Sequence, residues 1–468
     1  MTRSPSSRSE KKPAPSPLLR AGVPLDWWFI FKFNAAEEPE PSLPTGSDGI
    51  FDKSGWKDPG YETRPRKHSQ HFVGASSETP ELRHMKGYLG TSREDPLGAT
   101  FAQVYDGDTF YVLWNDQFYD DPHATLLEPW GHSKGLLAWN EDGEGFVLQV
   151  STPSWPASGN HRFPRRTDGN TLGYIRDDDV EVSQHFFATR LTKDDLLMVL
   201  RALKNADVVT GVSTAKEWNG RSRVKESGRP LDPPLPEPLP SPPDPRQVVN
   251  NGGPKAVQAA VNRLLDPPED DEKERQACLV QTLSNGMKLV SKNARYAVPP
   301  WQLVSAVLGG VDLRVASWWA EPGIFSTTRE HATPGCWHPD LGTPGAVEIA
   351  LTGDWKGPER TEPLGFRGIP SPDGNHAKVG VSTGDGVNLA VFGDMNQMGA
   401  WCPDGYEPGQ TCDMHQNGRG GLFYAVENAD LCHSVRRLLK GESVPLDSPA
   451  RRKKGGWSAA GKGEPNEG

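Results

Sequence analysis

Two segments far apart in the chain share one pattern of apolar and polar positions. The first, Gly131-His132-Ser133-Lys134-Gly135, runs through apolar residues to Asp142-Gly143 and then Phe146-Val147-Leu148-Gln149-Val150. The second, Asn375-His376-Ala377-Lys378, runs to Asp385-Gly386 and then Asn388-Leu389-Ala390-Val391-Phe392-Gly393. Each predicts a strand, an Asp-Gly turn and a return strand. Elsewhere, Leu196, Leu197, Val199, Leu200 and Leu203 form one broad apolar face and predict a helix over 192–205. The same reasoning places an amphipathic helix at 256–265 and a last helix at 428–439. Residues 301–319 are an apolar stretch whose tryptophans are expected in the core.

Composition shifts divide this pattern. Residues 1–22, rich in Ser, Pro and Lys, read as a disordered tail with no recognisable signal peptide. A first half spans 23–228. Residues 229–252 form a linker in which Pro230 to Pro245 is nearly half proline, an extended polyproline segment. A second half spans 253–442, and 443–468 is a basic, Gly-rich tail carrying Arg451-Arg452-Lys453-Lys454. One His-x-Lys hairpin in each half predicts a site shared across an internal pseudo-two-fold, an arrangement possible in a monomer, with the oligomeric state left open.

Charge and cysteine usage narrow the function. The chain has 468 residues, ample for a large core, and no apolar run long enough to span a membrane. Its formal charge is -10, unfavourable for holding nucleic acid by overall attraction. Protonating all 12 histidines takes that charge to +2, so acid conditions would make the surface tolerant of DNA. Five cysteines are too few and too scattered for a disulfide framework, though Cys402–Cys412 and Cys336–Cys432 are possible bridges. No metal-ligand spacing accompanies the His-Lys pairs, and no cofactor is expected.

Strand residues at i and i+2 share a face, so each His is expected beside its Lys on one side of a sheet. A neutral imidazole and an ammonium aimed together suit attack on a phosphate whose charge is held at the same time. The candidate residues are therefore His132, Lys134, His376 and Lys378. Two coupled histidines share one proton most readily near their own pKa values, which predicts an acid optimum.

Paired His-x-Lys motifs resemble the phospholipase D superfamily. Its usual Asp, five residues after the Lys, is Trp139 and Thr383 here. The deoxyribonuclease II branch has shortened motifs, and further blocks are similar to it: Pro24 to Lys32, Leu113-Trp114-Asn115-Asp116-Gln117, and Gly393-Asp394-Met395-Asn396 with Arg419-Gly420-Gly421. The resemblance implies an α+β fold, a phospholipase D-like bilobal pseudo-dimer with two mixed β-sheet cores flanked by helices. It implies a metal-independent acid endonuclease acting on DNA through a phosphohistidine and leaving 3′-phosphate ends. Asn115 and Asn396 are supporting candidates, Asn396 as a partner that fixes a histidine tautomer or simply as an Asn in a turn. A further family histidine on the first return strand is replaced here by Val150, with His161 and His185 as spatial substitutes. The family's cysteine beside the second motif and its partner are replaced by Gly380 and approximately Ala425. The alternatives are a phosphodiesterase acting on a non-nucleic substrate, and a non-catalytic DNA-binding relative.

Overall fold

The structure, a computed structural model, describes residues 13–34, 71–87, 89–90, 93–105, 109–116, 131–153, 182–208, 247–249, 278–318, 326–333, 337–356, 361–369, 371, 373–397 and 416–446. The first half supplies β1 (Leu18–Arg20), β2 (Val23–Pro24), β3 (Trp27–Lys32), β4 (Phe72–Ser76), β5 (Arg83–His84), α1 (Pro96–Tyr105), β6 (Phe110–Asn115), β7 (Lys134–Trp139), β8 (Gly145–Val150), β9 (Gln184–Leu191) and α2 (Lys193–Asn205). The remainder supplies β10 (Gln247–Val249), β11 (Cys278–Thr282), β12 (Lys288–Lys292), α3 (Pro300–Val307), β13 (Leu313–Ala316), β14 (Val347–Ile349), β15 (Thr352–Lys356), β16 (Thr361–Gly365), β17 (Val379–Ser382), β18 (Leu389–Gly393), β19 (Gly421–Glu427) and α4 (Ala429–Leu438).

The fold is α+β, built on two large mixed sheets. One has the order β10-β6-β7-β8-β9-β3-β4-β5, the other β11-β12-β19-β18-β17-β13-β14. Read from opposite ends, the first seven strands of the larger sheet match the seven of the other in order, and β5 is an extra strand at the far edge. Even the parallel edge recurs, as β10 beside β6 and β14 beside β13. A helix precedes the second strand of each matched order (α1 before β6, α3 before β13), and another follows the fifth (α2 after β9, α4 after β19). This is the pseudo-two-fold expected from the repeated motif.

Strand β3, Trp-Trp-Phe-Ile-Phe-Lys, is buried along its whole length because its sheet is covered on both faces. Trp28 and Ile30 point outward into a cluster with Leu97 and Phe101 of α1. Phe29 and Phe31 point inward, where Phe29 stacks on Phe392 of the other sheet at 4.2 Å, and Phe392 in turn stacks on Phe187 at 4.8 Å. Offset aromatic stacking of this kind adds roughly 0.5–1.5 kcal/mol per pair beyond area burial. The two sheets are thus sealed face to face by aromatic rings.

Two helices lock the seam. Thr192 and Asp195 form a capping box at the start of α2, as the sequence Thr-Lys-Asp-Asp permits. Asp195 also accepts from Ser284 N at 2.8 Å in the second half, and Asn205 Nδ2 donates to Ser291 O at 3.1 Å. In return, Ser434 Oγ of α4 accepts from Leu82 N at 3.1 Å in the first half. No helix among the described residues is long and apolar enough to cross a membrane.

Several boundaries differ from expectation. The expected tail at 1–22 contains β1, because Leu18 is buried and exchanges hydrogen bonds with Thr100 Oγ1 of α1. The end of the linker is β10, whose Gln-Val-Val pairs in parallel with β6; the β-branched residues prevail once the prolines stop. The second half extends past 442, since Val444 is buried and Ser326 N donates to Pro445 O. The polyproline stretch, the helix at 256–265 and Arg451–Lys454 lie outside the described residues, as do Cys336, Cys402 and Cys412. Cys432 is a free, buried thiol, so it is not bridged to Cys336. Gly380 and Ala425 lie on β17 and β19 with β18 between them. Two strand spacings, roughly 9–10 Å, exceed what a disulfide spans. At Gly380 a Cβ would stand 2.6 Å from the Trp301 ring, so glycine there serves packing.

Candidate active site

Both hairpins form as the pattern predicts, with Gly143 (φ 83°) and Gly386 (φ 81°) at their turning points. The first turn is wider than two residues: Asn140 to Glu144 connect the strands, closed by Asn140 N donating to Glu144 O. Strand β7 starts at Lys134 and β17 just after Lys378, so both histidines sit on the approach to their strands rather than within them.

What holds each histidine is the other half. His132 N donates to Gly420 O, and His376 N to Ser183 O, both at 2.8 Å. Gly420 leads into β19 and Ser183 into β9, which are equivalent strands, so the exchange is reciprocal across the pseudo-two-fold. Close backbone approach makes this possible on the first side. A Cβ on Gly131 or on Gly420 would fall 2.5 or 2.0 Å from Ala206 O, so neither position admits a larger residue.

The side chains converge at this seam. Lys134 Nζ meets Asp116 Oδ1 at 2.5 Å, and the other carboxylate oxygen takes Arg419 Nη2 at 2.6 Å; all three side chains are at most 3% exposed. Arg419 also donates to Gly131 O at 3.0 Å, next to His132. Burial alone would raise the Asp116 carboxyl, but the Lys134 and Arg419 charges overcome it and hold the group well below the usual carboxylate range.

Three imidazoles gather here, and each is pushed well below its ordinary pKa. For His132 the causes are burial and then Lys134, partly opposed by Asp116. For His376 they are burial, then Lys378, Lys134, His132 and Lys32. For His185 they are burial and Lys378. The four expected residues therefore act on one another across the seam. His132 Nδ1 lies 2.6 Å from the Asp394 carbonyl, which only accepts, so Nδ1 carries the proton and Nε2 keeps its lone pair. His185 is the opposite tautomer: Lys378 N donates to its Nδ1 at 3.1 Å, leaving the ring proton on Nε2. Trp318 meets His376 edge to face, with centroids 3.9 Å apart.

Asp394 links these parts. Its carboxyl accepts from Gln149 Nε2 and Leu422 N, both at 3.1 Å. Burial pushes it up to about 7 in spite of those bonds, the one from Ser133 and the Lys134 charge. Asn115 lies opposite Lys134 in register and reaches Thr152 O at 3.5 Å, the long limit of a hydrogen bond. Asn396 is buried near the seam, but the acceptor on His132 is the Asp394 carbonyl two residues earlier.

Val150 is not at the site. It lies opposite Phe186 on β8 and β9 and packs in the outer apolar cluster, whereas its neighbour Gln149 faces the seam. The third imidazole comes from His185; His161 lies outside the described residues. Asp116, Asp394 and Arg419 were in the motif blocks but carried no expected role. The available signal was an ionisable residue beside an uninterrupted strand, where burial demands a partner.

Residues 55–333 match the deoxyribonuclease II family model. That is more than half of the chain. It belongs to the deoxyribonuclease II family. The family match takes in the first His-x-Lys pair, and the second lies beyond it, joined to the first by the fold. The chain is also similar to deoxyribonuclease-2-beta from Mus musculus, 34% identical over 91 residues. That segment is 18% of this chain and 24% of the mouse protein, so the chain spans about a quarter of the relative's length. Among the described residues no group of three or more His, Cys, Asp or Glu side chains is arranged to hold a metal ion.

Proposed function

We propose that this chain is an endodeoxyribonuclease that cleaves DNA phosphodiesters without a metal ion, through a phosphohistidine, with best activity in acid. The observation that carries this reading is the joining of the two His-x-Lys pairs at one seam, each histidine held by the opposite half. Family membership supports DNA as the substrate.

His132 is the better nucleophile of the pair, because its Nδ1–H is committed to Asp394 O and its Nε2 lone pair is available. Nε2 attacks phosphorus, the P–O5′ bond breaks, and protonated His376 gives its proton to O5′, leaving a 5′-hydroxyl. Water then attacks the phosphohistidine as His376 takes a proton back. The P–N bond breaks and a 3′-phosphate is released. Lys134 and Lys378 balance the charge on the non-bridging oxygens, the work a metal does in other nucleases. The carboxylate of Asp116 is outnumbered by Lys134, Arg419 and Lys378, so the seam keeps a positive excess for a phosphodiester.

The acid optimum follows from the direction of the shifts. A general acid whose pKa is held below the usual histidine value is protonated only as pH falls toward it. The non-catalytic alternative loses its motive, since Val150 does not occupy an imidazole's place at the site. Plasmid nicking at pH 5 in EDTA, with end-labelling of the products, tests the reading. Nicking with 3′-phosphate ends is expected. Cleavage that requires added Mg²⁺ or Zn²⁺, or that leaves 5′-phosphates, would overturn it.

A further inference from the structure

Trp318 departs from the behaviour expected of the tryptophans in its stretch. Trp301 is a core residue: fully buried, its Nε1 donating to Met395 O at 3.3 Å and its ring edge-on to Phe423. Trp318 is only partly buried and belongs to none of the three buried apolar clusters. Its position is nonetheless fixed. It follows β13 directly, and the preceding Ser317 Oγ accepts from Gln397 N at 2.9 Å, tying this point to the segment after β18. Its ring meets His376 at an interplanar angle of 86°. An edge-to-face contact covers at most one face of an indole, so His376 leaves Trp318 a face to offer.

We propose that Trp318 is a nucleobase-stacking subsite, taking the base of a nucleotide that flanks the phosphate being cleaved. This deepens the nuclease reading above and rests on it. A base is separated from its own 3′- or 5′-phosphate only by the sugar. An indole touching an imidazole at the reacting phosphate therefore lies within reach of a base on one side of it. Stacking on an aromatic side chain needs no particular base, since every base has a π-face, and it requires that the base leave its neighbours in the helix. The subsite therefore takes a base from single-stranded or locally unstacked DNA, without sequence preference.

The test compares kcat/KM for the dinucleoside phosphate d(TpT) with two analogues in which one or the other thymine is replaced by hydrogen. Base–aromatic stacking contributes on the order of 1–3 kcal/mol per base, so removing the stacked thymine is expected to cost wild type roughly 5- to 150-fold, while removing the other costs little. Trp318→Ala should bring the intact-to-abasic ratio close to one, and Trp318→Phe should retain part of it. Any effect of either substitution on turnover through His376 cancels in that ratio. If Trp318→Ala and Trp318→Phe keep the wild-type ratio, or if wild type cuts intact and abasic substrates equally, the indole only supports His376 and the subsite is refuted. If wild type cleaves neither these substrates nor plasmid DNA, it is the nuclease reading that fails, and the subsite fails with it.

Discussion

Replacing Asp116 by asparagine removes one carboxylate charge from between two buried cations. Lys134, Asp116 and Arg419 are together almost without solvent contact, so nothing outside the protein replaces that charge. Removing one partner of a buried ion pair typically costs about 3–5 kcal/mol, because the remaining charge stays desolvated. The amide oxygen of asparagine still accepts from one cation, which places this variant at about 3 kcal/mol. With a urea dependence of about 1–3 kcal/mol per molar, the unfolding midpoint should fall by roughly 1–3 M. The sign of the pH dependence is fixed as well. A carboxyl depressed below its unfolded value of 3.8 contributes stability above that value and loses it only as pH falls through the folded pKa. The gap between wild type and variant should therefore be the same at pH 5 and pH 7. Urea unfolding at both values measures it. A variant within about 0.5 kcal/mol of wild type, the range of an ordinary surface substitution, would refute the argument that this triad joins the halves.

Further outcomes follow from the same geometry. His132→Ala and His376→Ala should each remove nearly all cleavage, with the double variant little worse than either single one, because residues acting as a unit are non-additive; wild-type turnover in either single variant would show that the site is not shared. Val150→His should lower stability, by about 1–3 kcal/mol, without raising the rate, because it buries an unpaired imidazole in the outer cluster; a faster enzyme with a shifted acid limb would place position 150 at the site after all. Thermal stability should fall as pH drops below about 6.5. Each of His132, His185 and His376 takes up its proton at lower pH in the fold than in the unfolded chain, at a cost of up to about 1.4 kcal/mol per pH unit. Asp394, raised to about 7, opposes this with one group against three. A midpoint equal or higher at pH 5 than at pH 7 would contradict those shifts.

The local patterns in the sequence became the local structures. The two hairpins, the Thr192–Asp195 capping box and the α4 cap at Asn428 depend on residues within a few positions of each other. The seam was legible only as a repeat. What builds it are bonds between residues hundreds of positions apart, such as His132 N to Gly420 O and Arg419 to Asp116, and a single sequence carries no periodicity for those. The placement of Val150 was a matter of strand parity. Along β8, Phe146, Leu148 and Val150 are apolar while Gln149 and Ser151 are polar, and the polar pair marks the face turned toward the seam. Charge counting also overstated the acid response: burial and neighbouring lysines shift protonation of three of the 12 histidines to lower pH than the ordinary imidazole value.

The central claim is that a histidine of the seam bonds covalently to phosphorus, and capture of that bond tests it most directly. Thymidine 3′-(4-nitrophenyl phosphate) has a leaving group that needs no proton, so His376→Ala should still form the adduct and should then be slow to hydrolyse it, having lost the base for the second step. The reaction would be run at pH 5 in EDTA, quenched in alkaline SDS to spare the acid-labile P–N bond, and the peptides read by mass spectrometry. The account predicts a thymidine 3′-phosphoryl group on His132, absent from His132→Ala. Turnover with no adduct on any histidine, or an adduct that forms only when a divalent metal is added, would contradict it.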